Sequence, residues 1–316
     1  MILRRILTNP YTPTIAIALL VALLPLVLPS LFHLRVATLV FINAIVVLGL
    51  NLLMGYAGQI SLGHAAFFAM GGYMVAIGPT HLGVPPWICL LVGVTLTGLI
   101  AFVIGKPIMR FKGYHLAIAT LGLGVIVSIC LANEIRWTGG PDGMPVSRLW
   151  IGNWRVSGVW NWYWIAGGTL LLAACAVSNL LNSSSGRALR AIHDSEVAAG
   201  TLGIDAASYK LFAFVLSAAL AALAGAFLAL FDGHITPVAG GVLRSVDFVA
   251  MAVLGGLGSI LGSLLGAALL VVLPQLLATF HEYEPVLLGS ILILLMIFLR
   301  RGLVPSIQSW LLRRLP

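Results

Sequence analysis

Long apolar runs constrain this chain more than any other feature of its sequence. Residues 36–54, 86–105, 114–132 and 162–181 contain no aspartate, glutamate, lysine or arginine. Each is close to the roughly 20 apolar residues that a helix needs to cross a bilayer. Only 8% of the chain is charged, compared with about 25% of a typical soluble domain. A soluble domain could not bury this much apolar surface, so the sequence predicts an all-α, polytopic membrane protein.

Ten apolar segments are predicted to form helices, and about eight to ten of these to cross the membrane. The segments are 14–34, 36–54, 64–80, 86–105, 114–132, 162–181, 209–231, 246–260, 262–279 and 285–300. Several are shorter than about 20 residues, so 64–80 and 246–260 are predicted to be tilted, broken or re-entrant. An even number of spans places both termini on the same side. Residues 1–316 are expected to form a single transmembrane domain.

The basic residues predict which side faces the cytoplasm, because cytoplasmic loops carry an excess of Lys and Arg. With the N-terminus inside, twelve basic residues are cytoplasmic and five are outside. The cytoplasmic set is Arg4, Arg5, Lys106, Arg110, Lys112, Arg187, Arg190, Lys210, Arg300, Arg301, Arg313 and Arg314, and the outer set is Arg35, Arg136, Arg148, Arg155 and Arg244. Both termini and residues 183–204 are therefore predicted to be cytoplasmic. Residues 133–161 form the longest outer loop, and six tryptophans in or just after it indicate an aromatic belt.

Two glycine-rich segments interrupt the apolar pattern, one in each half of the chain. They are GLNLLMGYAGQISLGHAAFFAMGGY (49–73) and VLGGLGSILGSLLGAALL (253–270). Paired interruptions predict an internal repeat with a substrate path at its interface. Four polar residues near the first interruption are candidates to line that path: Asn51, Gln59, Ser61 and His64. The alternative is that they form hydrogen bonds between packed helices.

The sequence lacks the motifs of membrane enzymes and ion-driven pumps. Nothing matches the phosphate-binding loop GxxxxGK[ST], and no His or Cys cluster has metal-ligand spacing. We therefore predict no catalytic residue and no metal site. Proton-driven transporters use ionisable residues within the membrane, whereas only Asp247 is predicted to enter a helix end here. Energy for uphill transport would come from another subunit, and the path would be lined by small, uncharged groups.

Residues 183–204, SSSGRALRAIHDSEVAAGTLGI, concentrate charge in a chain that otherwise avoids it. Ser184 or Ser185 could cap a helix that begins near Gly186, and Gly200 or Gly203 could end it. One face is predicted to be apolar: Leu189, Ile192, Ala199 and Leu202. The other is predicted to be polar: Arg187, Arg190, His193 and Asp194. Such an amphipathic helix could rest on lipid headgroups or dock a cytoplasmic protein.

Four stretches together resemble the permease subunits of branched-chain amino acid ABC importers, in the LivM-like branch. They are residues 49–73, MRFKGYHLAIATLGLGVI (109–126), TGGPDG (138–143) and residues 186–226, and AVLGGLGSILGSLLGAA (252–268) resembles the family's late glycine-rich segment. The resemblance implies an importer whose other subunits are a second permease, two cytoplasmic ABC ATPases and a periplasmic substrate-binding protein. It also implies a location in the bacterial inner (cytoplasmic) membrane. The ATPases would bind ATP, this chain would need no cofactor, and no nucleic acid is involved.

In this family a cytoplasmic coupling helix docks on the ATPase, and the resemblance places it at 183–204 of the permease domain. The sequence E-V-A-A-G-T-L-G is a degenerate form, with one residue inserted, of the family's EAA-like signature. The implied coupling residues are Arg187, Arg190, Asp194, Glu196, Ala199 and Gly203. The loop 133–161 would be periplasmic.

Three alternatives remain open at this stage. A permease of the same family could carry urea, short amides or another small solute in place of branched-chain or related hydrophobic amino acids. A passive channel or facilitator would transport without an ATPase and would not depend on residues 186–203. An integral-membrane enzyme would need a cluster of acid, base or metal-binding residues, which the sequence does not show.

Overall fold

The computed structural model describes residues 11–27, 30–111, 113–151, 154–277, 284–299 and 302–307. Its α-helices are α1 (Thr12–Val27), α2 (Leu31–Asn51), α3 (His64–Leu82), α4 (Pro86–Ile108), α5 (Tyr114–Asn133), α6 (Ile135–Thr138), α7 (Val159–Asn182), α8 (Ser184–Asp194), α9 (Glu196–Thr201), α10 (Ala206–Asp232), α11 (Val242–Gly255), α12 (Ile260–Leu277) and α13 (Glu284–Phe298). We call the end of the bundle that carries residues 183–204 the inner end, and the opposite end the outer end.

Each of the ten predicted apolar segments contains a helix, which confirms the all-α, polytopic membrane fold. Within the described ranges, six helices are long and apolar enough to cross a membrane: Leu31–Tyr56, Pro86–Ile108, Tyr114–Asn133, Val159–Asn182, Ala206–Asp232 and Ile260–Leu277. Thr12–Val27 and Gly289–Phe298 are apolar but shorter. Whether the shorter helices also cross the membrane is not tested, so the total of eight to ten spans stays a prediction.

Helix α2 is at the centre of the bundle. A π-helical turn, Leu52–Tyr56, extends it to a predominantly apolar span of 26 residues, most of which is buried in the bundle. It packs against α7, α10, α11 and α12. Most residues of helices α4 and α5 are not buried within the bundle, so these two helices form its periphery. An apolar surface that stays exposed in such a bundle suits contact with lipid or with a second membrane subunit.

Helices α3 and α10 pack in the bundle core with their backbones in close contact. A Cβ atom at Gly71 would overlap the carbonyl oxygen of Ala222, and one at Gly225 would overlap that of Phe68. Glycine is required at both positions because the two backbones meet there. This contact holds α3 in place, although α3 is not among the six long apolar spans.

The helical path is interrupted within the bundle in both halves of the chain, once in the first half and twice in the second. Residues 57–63 separate the end of α2 from α3, and residues 233–241 separate α10 from α11. A second gap, 256–259, follows α11, which at 14 residues is too short to cross a bilayer. Segment 246–260 is therefore broken, as one of its predicted forms, at 256–259, whereas segment 64–80 lies within the continuous helix α3 and the break precedes it. The internal repeat that they suggest stays a prediction.

Short strands and turns cover the outer end. Strand β1 (Met144–Pro145) pairs with β4 (His234–Ile235), and β2 (Trp150–Ile151) pairs with β3 (Trp154–Arg155). The tryptophans nearby do not all lie at a surface. Trp137, Trp160 and Trp164 are exposed, as a belt requires, but Trp162 is buried against Phe227 and Phe231. Trp162 therefore belongs to the core, because it faces α10.

Candidate functional site

Residues 183–204, which we call the coupling segment, form two short helices that meet at Ser195. Ser195 has an extended backbone, and its hydroxyl accepts a hydrogen bond from the amide of Ala198, which caps α9. The first helix begins at Ser184, so the capping position belongs to Ser183. The sequence had predicted Ser184 or Ser185 as the cap. That prediction was wrong because the helix starts two residues earlier. Gly203 has a positive φ of 79° at the end of α9, which confirms its terminating role.

The apolar face of the coupling segment was predicted correctly for three of four residues. Leu189, Ile192 and Ala199 are buried against the bundle. Leu202 is 78% exposed, contrary to the prediction. The interruption at Ser195 breaks the helical register, and Leu202 lies beyond the last residue of α9.

The polar residues of the coupling segment divide into two groups. Arg187 and Asp194 are exposed. Together with the exposed side chains of Val197 and Leu202 they form what we call the exposed strip. Glu196 and Arg190 make shorter polar contacts within the chain, each of 2.8 Å. Arg187 and Asp194 have longer ones, at 3.4 Å to Asn182 O and 3.8 Å to His193 Nδ1.

Glu196 anchors α9 to the long helix that follows it. Its Oε2 accepts a 2.8 Å hydrogen bond from Nζ of Lys210, whose side chain is only 2% exposed. A buried ammonium is stable only when it is paired. Sequence reasoning treated Lys210 as a topology marker, and nothing in its spacing from Glu196 indicated the ion pair.

The coupling segment directly contacts the interruption that follows α2. Nη2 of Arg190 donates to Leu181 O at 2.8 Å, and its guanidinium lies 6.0 Å from the ring centroid of Tyr56. Next along the chain, Gly58 lies so close to His193 that an added Cβ would be 2.9 Å from the imidazole Cδ2. A cavity of about 240 Å³, lined in part by Tyr56, Arg190 and Ser259, opens beside this contact. A displacement of α8 must therefore move the end of α2 or lose these contacts.

At the inner end, the last turns before the interruption at 57–63 are joined by hydrogen bonds to Gly258 and its neighbours, in the interruption at 256–259. Oδ1 of Asn51 accepts from the amide of Gly258 at 2.6 Å, and the hydroxyl of Tyr56 donates to Gly258 O at 2.5 Å. The amide nitrogen of Asn51 donates to Ser259 O at 2.8 Å and to Ser263 Oγ at 3.0 Å. These bonds satisfy backbone groups that the missing helical turns leave free.

The other predicted pathway residues are also buried. His64 bridges two serines, with its Nδ1 2.8 Å from Ser61 Oγ and its Nε2 2.7 Å from Ser217 Oγ on α10. Gln59 donates to Ala57 O at 3.0 Å, while its own buried Oε1 has no hydrogen-bond partner among the described residues. Asn51, Ser61 and His64 thus form hydrogen bonds between elements, and Gln59 is the member of the set with an unused acceptor.

Arg244 lies within the bundle and not at its outer edge, where the charge pattern placed it. Its Nη2 donates to Oδ1 of Asn43 at 2.7 Å, and its guanidinium lies 4.8 Å from the ring centroid of Phe248 and 5.7 Å from that of Phe68. Sequence reasoning missed this because residues 233–241 return into the bundle before α11 begins. Arg244 is therefore a charged residue within the bundle that the charge pattern did not indicate, and the lining of the path by small, uncharged groups stays a prediction.

The outer end carries a separate charged group. Arg35 and Asp232 form an exposed ion pair at 3.4 Å. Both residues line an open cavity of about 350 Å³, together with Arg148 and Trp162. Exposed pairs of this kind contribute little to stability.

Comparisons with known proteins place the chain in one family. The sequence profile of the family described as "Branched-chain amino acid transport system / permease component" matches residues 32–299. No solved structure matches the chain.

Three relatives show the range of the resemblance. The chain is 34% identical over 300 residues to the high-affinity branched-chain amino acid transport system permease protein LivM of Escherichia coli strain K12, covering 87% of this chain and 71% of the relative. It is 28% identical over 292 residues to LivH of the same strain, covering 84% and 92%. It is 28% identical over 270 residues to the ribose import permease protein RbsC of Haemophilus influenzae, covering 81% of each. The chain therefore belongs to the branched-chain amino acid transport system permease family.

Proposed function

We propose that this chain is one of the two permease subunits of an ATP-driven importer in a bacterial cytoplasmic membrane. It would form half of the translocation path, with a second permease providing the other half. Two cytoplasmic ABC ATPases would bind and hydrolyse ATP, so the chain itself would hold no cofactor and catalyse no reaction. Both termini would be cytoplasmic, and the outer end would face a periplasmic substrate-binding protein.

One observation carries the proposal: the coupling segment is both exposed and connected to the interruption after α2. Arg187, Asp194, Val197 and Leu202 offer charge and apolar area to a soluble partner. Glu196 and the buried Ala199 hold the segment to the bundle. A surface with charges of both signs suits a protein partner, since a helix resting on anionic lipid usually has a basic polar face.

The contacts of Arg190 and His193 suggest how ATPase motion would reach the path. A partner that moves the exposed strip would shift α8, and α8 touches Tyr56 and Gly58. Tyr56 in turn holds Gly258 in the second half of the chain. The interruptions at 57–63 and 256–259 would therefore rearrange together when the transporter changes between outward- and inward-open states.

Branched-chain or related hydrophobic amino acids are the substrates that we propose. The relatives LivM and LivH are named for transport of branched-chain amino acids, which supports this choice. A ribose permease is also similar, so another small solute is the second candidate. Uptake competition with leucine, valine, phenylalanine, ribose and urea in a deletion strain would distinguish these substrates.

Co-purification tests the docking role. The tagged chain should retain an ABC ATPase in mild detergent, and Val197→Glu combined with Leu202→Glu should remove it while the chain remains folded. Leu82→Glu is the matched control, because Leu82 is 65% exposed but lies on α3, outside the coupling segment. Recovery of the chain without any ATPase, still active in transport, would contradict the proposal and favour a passive channel.

A further inference from the structure

Arg244 occupies a position that is costly for a cation. Its hydrogen-bond partner Asn43 is twelve residues after Leu31 and thirteen before Tyr56, the two ends of the central membrane helix. At a rise of about 1.5 Å per residue, Asn43 lies ~18 Å from one end of that helix and ~20 Å from the other. A charged side chain near the middle of a bilayer is rare and usually functional.

Among the described residues, the charge of the guanidinium is offset by the rings of Phe68 and Phe248 and by longer-range attraction to Asp247 and Asp232, without an ion pair. Arginine carries five N–H donors, and the structure gives it one hydrogen bond, to the neutral amide oxygen of Asn43. Across the described residues, no carboxylate oxygen lies within 4.0 Å of Arg244. The residue is not fully buried and keeps partial exposure. An arginine with a purely structural role would be expected to have its donors satisfied.

Aromatic, acidic and helix-terminal groups surround this position. Phe68 and Phe248 flank the guanidinium and limit its movement. Asp247 is exposed on the same helix, about one turn after Arg244. The first turns of α3 and α11 also meet here, since the amide of Ala65 donates to Ser245 Oγ at 3.1 Å. Helix N-termini carry partial positive charge and favour anions.

We infer that Arg244 and Asp247 form a binding site for the zwitterionic head of an amino acid during its passage through the permease. The guanidinium of Arg244 binds the α-carboxylate, and the carboxylate of Asp247 faces the α-ammonium. The face of α11 that carries both residues then lines the path, because two charges at this depth are unstable in lipid. The inference rests on the proposed transport of amino acids and assigns the recognition to this chain.

Ligand-induced thermal stabilisation tests the site without the external binding protein. The chain, with whatever subunits purify with it, is reconstituted in nanodiscs and heated with leucine, with leucinol, which lacks the carboxylate, or with 4-methylpentanoate, which lacks the ammonium. Leucine at ten times its dissociation constant should raise the unfolding temperature by about 2 °C. Leucinol should give no shift, and 4-methylpentanoate a smaller one.

Three variants separate binding from folding. Arg244→Gln should abolish the leucine shift, whereas Arg35→Gln, which removes an exposed arginine of the outer ion pair, should keep it. If Arg244→Gln is unstable, Asp247→Asn provides a milder test, because Asp247 is exposed. It should reduce the leucine shift to that of 4-methylpentanoate.

The outcomes distinguish this inference from the proposed function. An equal leucine shift in wild type and Arg244→Gln would overturn the inference, as would the lack of any shift in wild type that imports leucine with ATP. A leucine shift that depends on Arg244, in a chain without ATP-driven uptake, would support the site and contradict the importer.

Discussion

Lys210 donates a 2.8 Å hydrogen bond to Glu196 and thereby ties α9 to the beginning of α10. Because Lys210 is buried, removing the carboxylate leaves an unpaired ammonium. Glu196→Gln should therefore destabilise the chain by up to ~3 kcal/mol, the lower part of the range for breaking a buried pair, since Glu196 is one-third exposed. Thermal unfolding in detergent measures the loss.

The double variant Glu196→Gln with Lys210→Met is the control for this pair. It removes both charges and should recover most of the lost stability. If Glu196→Gln alone unfolds at the wild-type temperature, the ion pair does not hold the coupling segment.

Gly58 should be more sensitive to substitution than another glycine with nearly the same φ. Gly58 and Gly83 have φ values of 66° and 64°, so alanine introduces similar backbone strain of about 1 kcal/mol at each. An added Cβ at Gly58 would press on His193, whereas one at Gly83 would meet no atom within 4 Å. Gly58→Ala should lower leucine uptake per ATP hydrolysed, and Gly83→Ala should not.

Equal uptake-to-hydrolysis ratios for the two glycine variants would contradict a coupling role for this contact. The comparison is made in proteoliposomes, with the amount of folded transporter matched by size-exclusion chromatography.

Tyr56→Phe removes one hydrogen bond between the end of the central helix and the interruption at 256–259. Its hydroxyl donates to Gly258 O, so the loss should cost about 1 kcal/mol and loosen residues 256–259. Hydrogen–deuterium exchange should rise by about fivefold in peptides covering that gap. Tyr163→Phe is matched to it, because the Tyr163 hydroxyl donates to Val21 O at 2.8 Å, on a helix pair away from the gap. Faster exchange at 256–259 in both variants, or in neither, would count against the assigned role of Tyr56.

Acid should weaken the start of α10 through Asp205. Hydrogen bonds from Ser208 hold the pKa of Asp205 below its usual value, and the amide of Ala207 also donates to this carboxylate. A carboxyl whose pKa is lower in the folded state stabilises the protein above its unfolded pKa of about 3.9, and the stabilisation disappears as pH falls through the folded value. Hydrogen exchange at residues 206–209 should therefore increase in acid.

The Asp205→Asn variant isolates that titration. Asparagine still accepts the capping hydrogen bonds but does not titrate, so the local increase in exchange below about pH 4 should be smaller than in wild type. An identical acid response would show that other groups control this helix start.

The fold could be predicted to a large extent because apolar length depends on sequence alone. Helices form in all ten predicted segments, and Gly203 ends α9 at a position that requires a positive φ. The Leu202 prediction was wrong because it assumed one continuous helix across Ser195. That error is local, since the backbone conformation of a single serine decides it.

The site was harder to predict because its contacts join residues far apart in the chain. Asn51 was found through its polarity, but its partners lie more than 200 positions away. Arg244 looked like an edge residue between two apolar runs. Its position deep in the bundle is evident only from its contact with Asn43, and no local sequence pattern indicates that contact.

Leucine uptake into proteoliposomes tests the central claim most directly, that an ATPase drives transport through the coupling segment. The purified transporter with its external binding protein should accumulate leucine only when ATP is hydrolysed. Val197→Glu combined with Leu202→Glu should abolish uptake while Leu82→Glu preserves it. Leucine flux through the chain alone, equal with and without ATP and unchanged by the coupling-segment variant, would contradict the account.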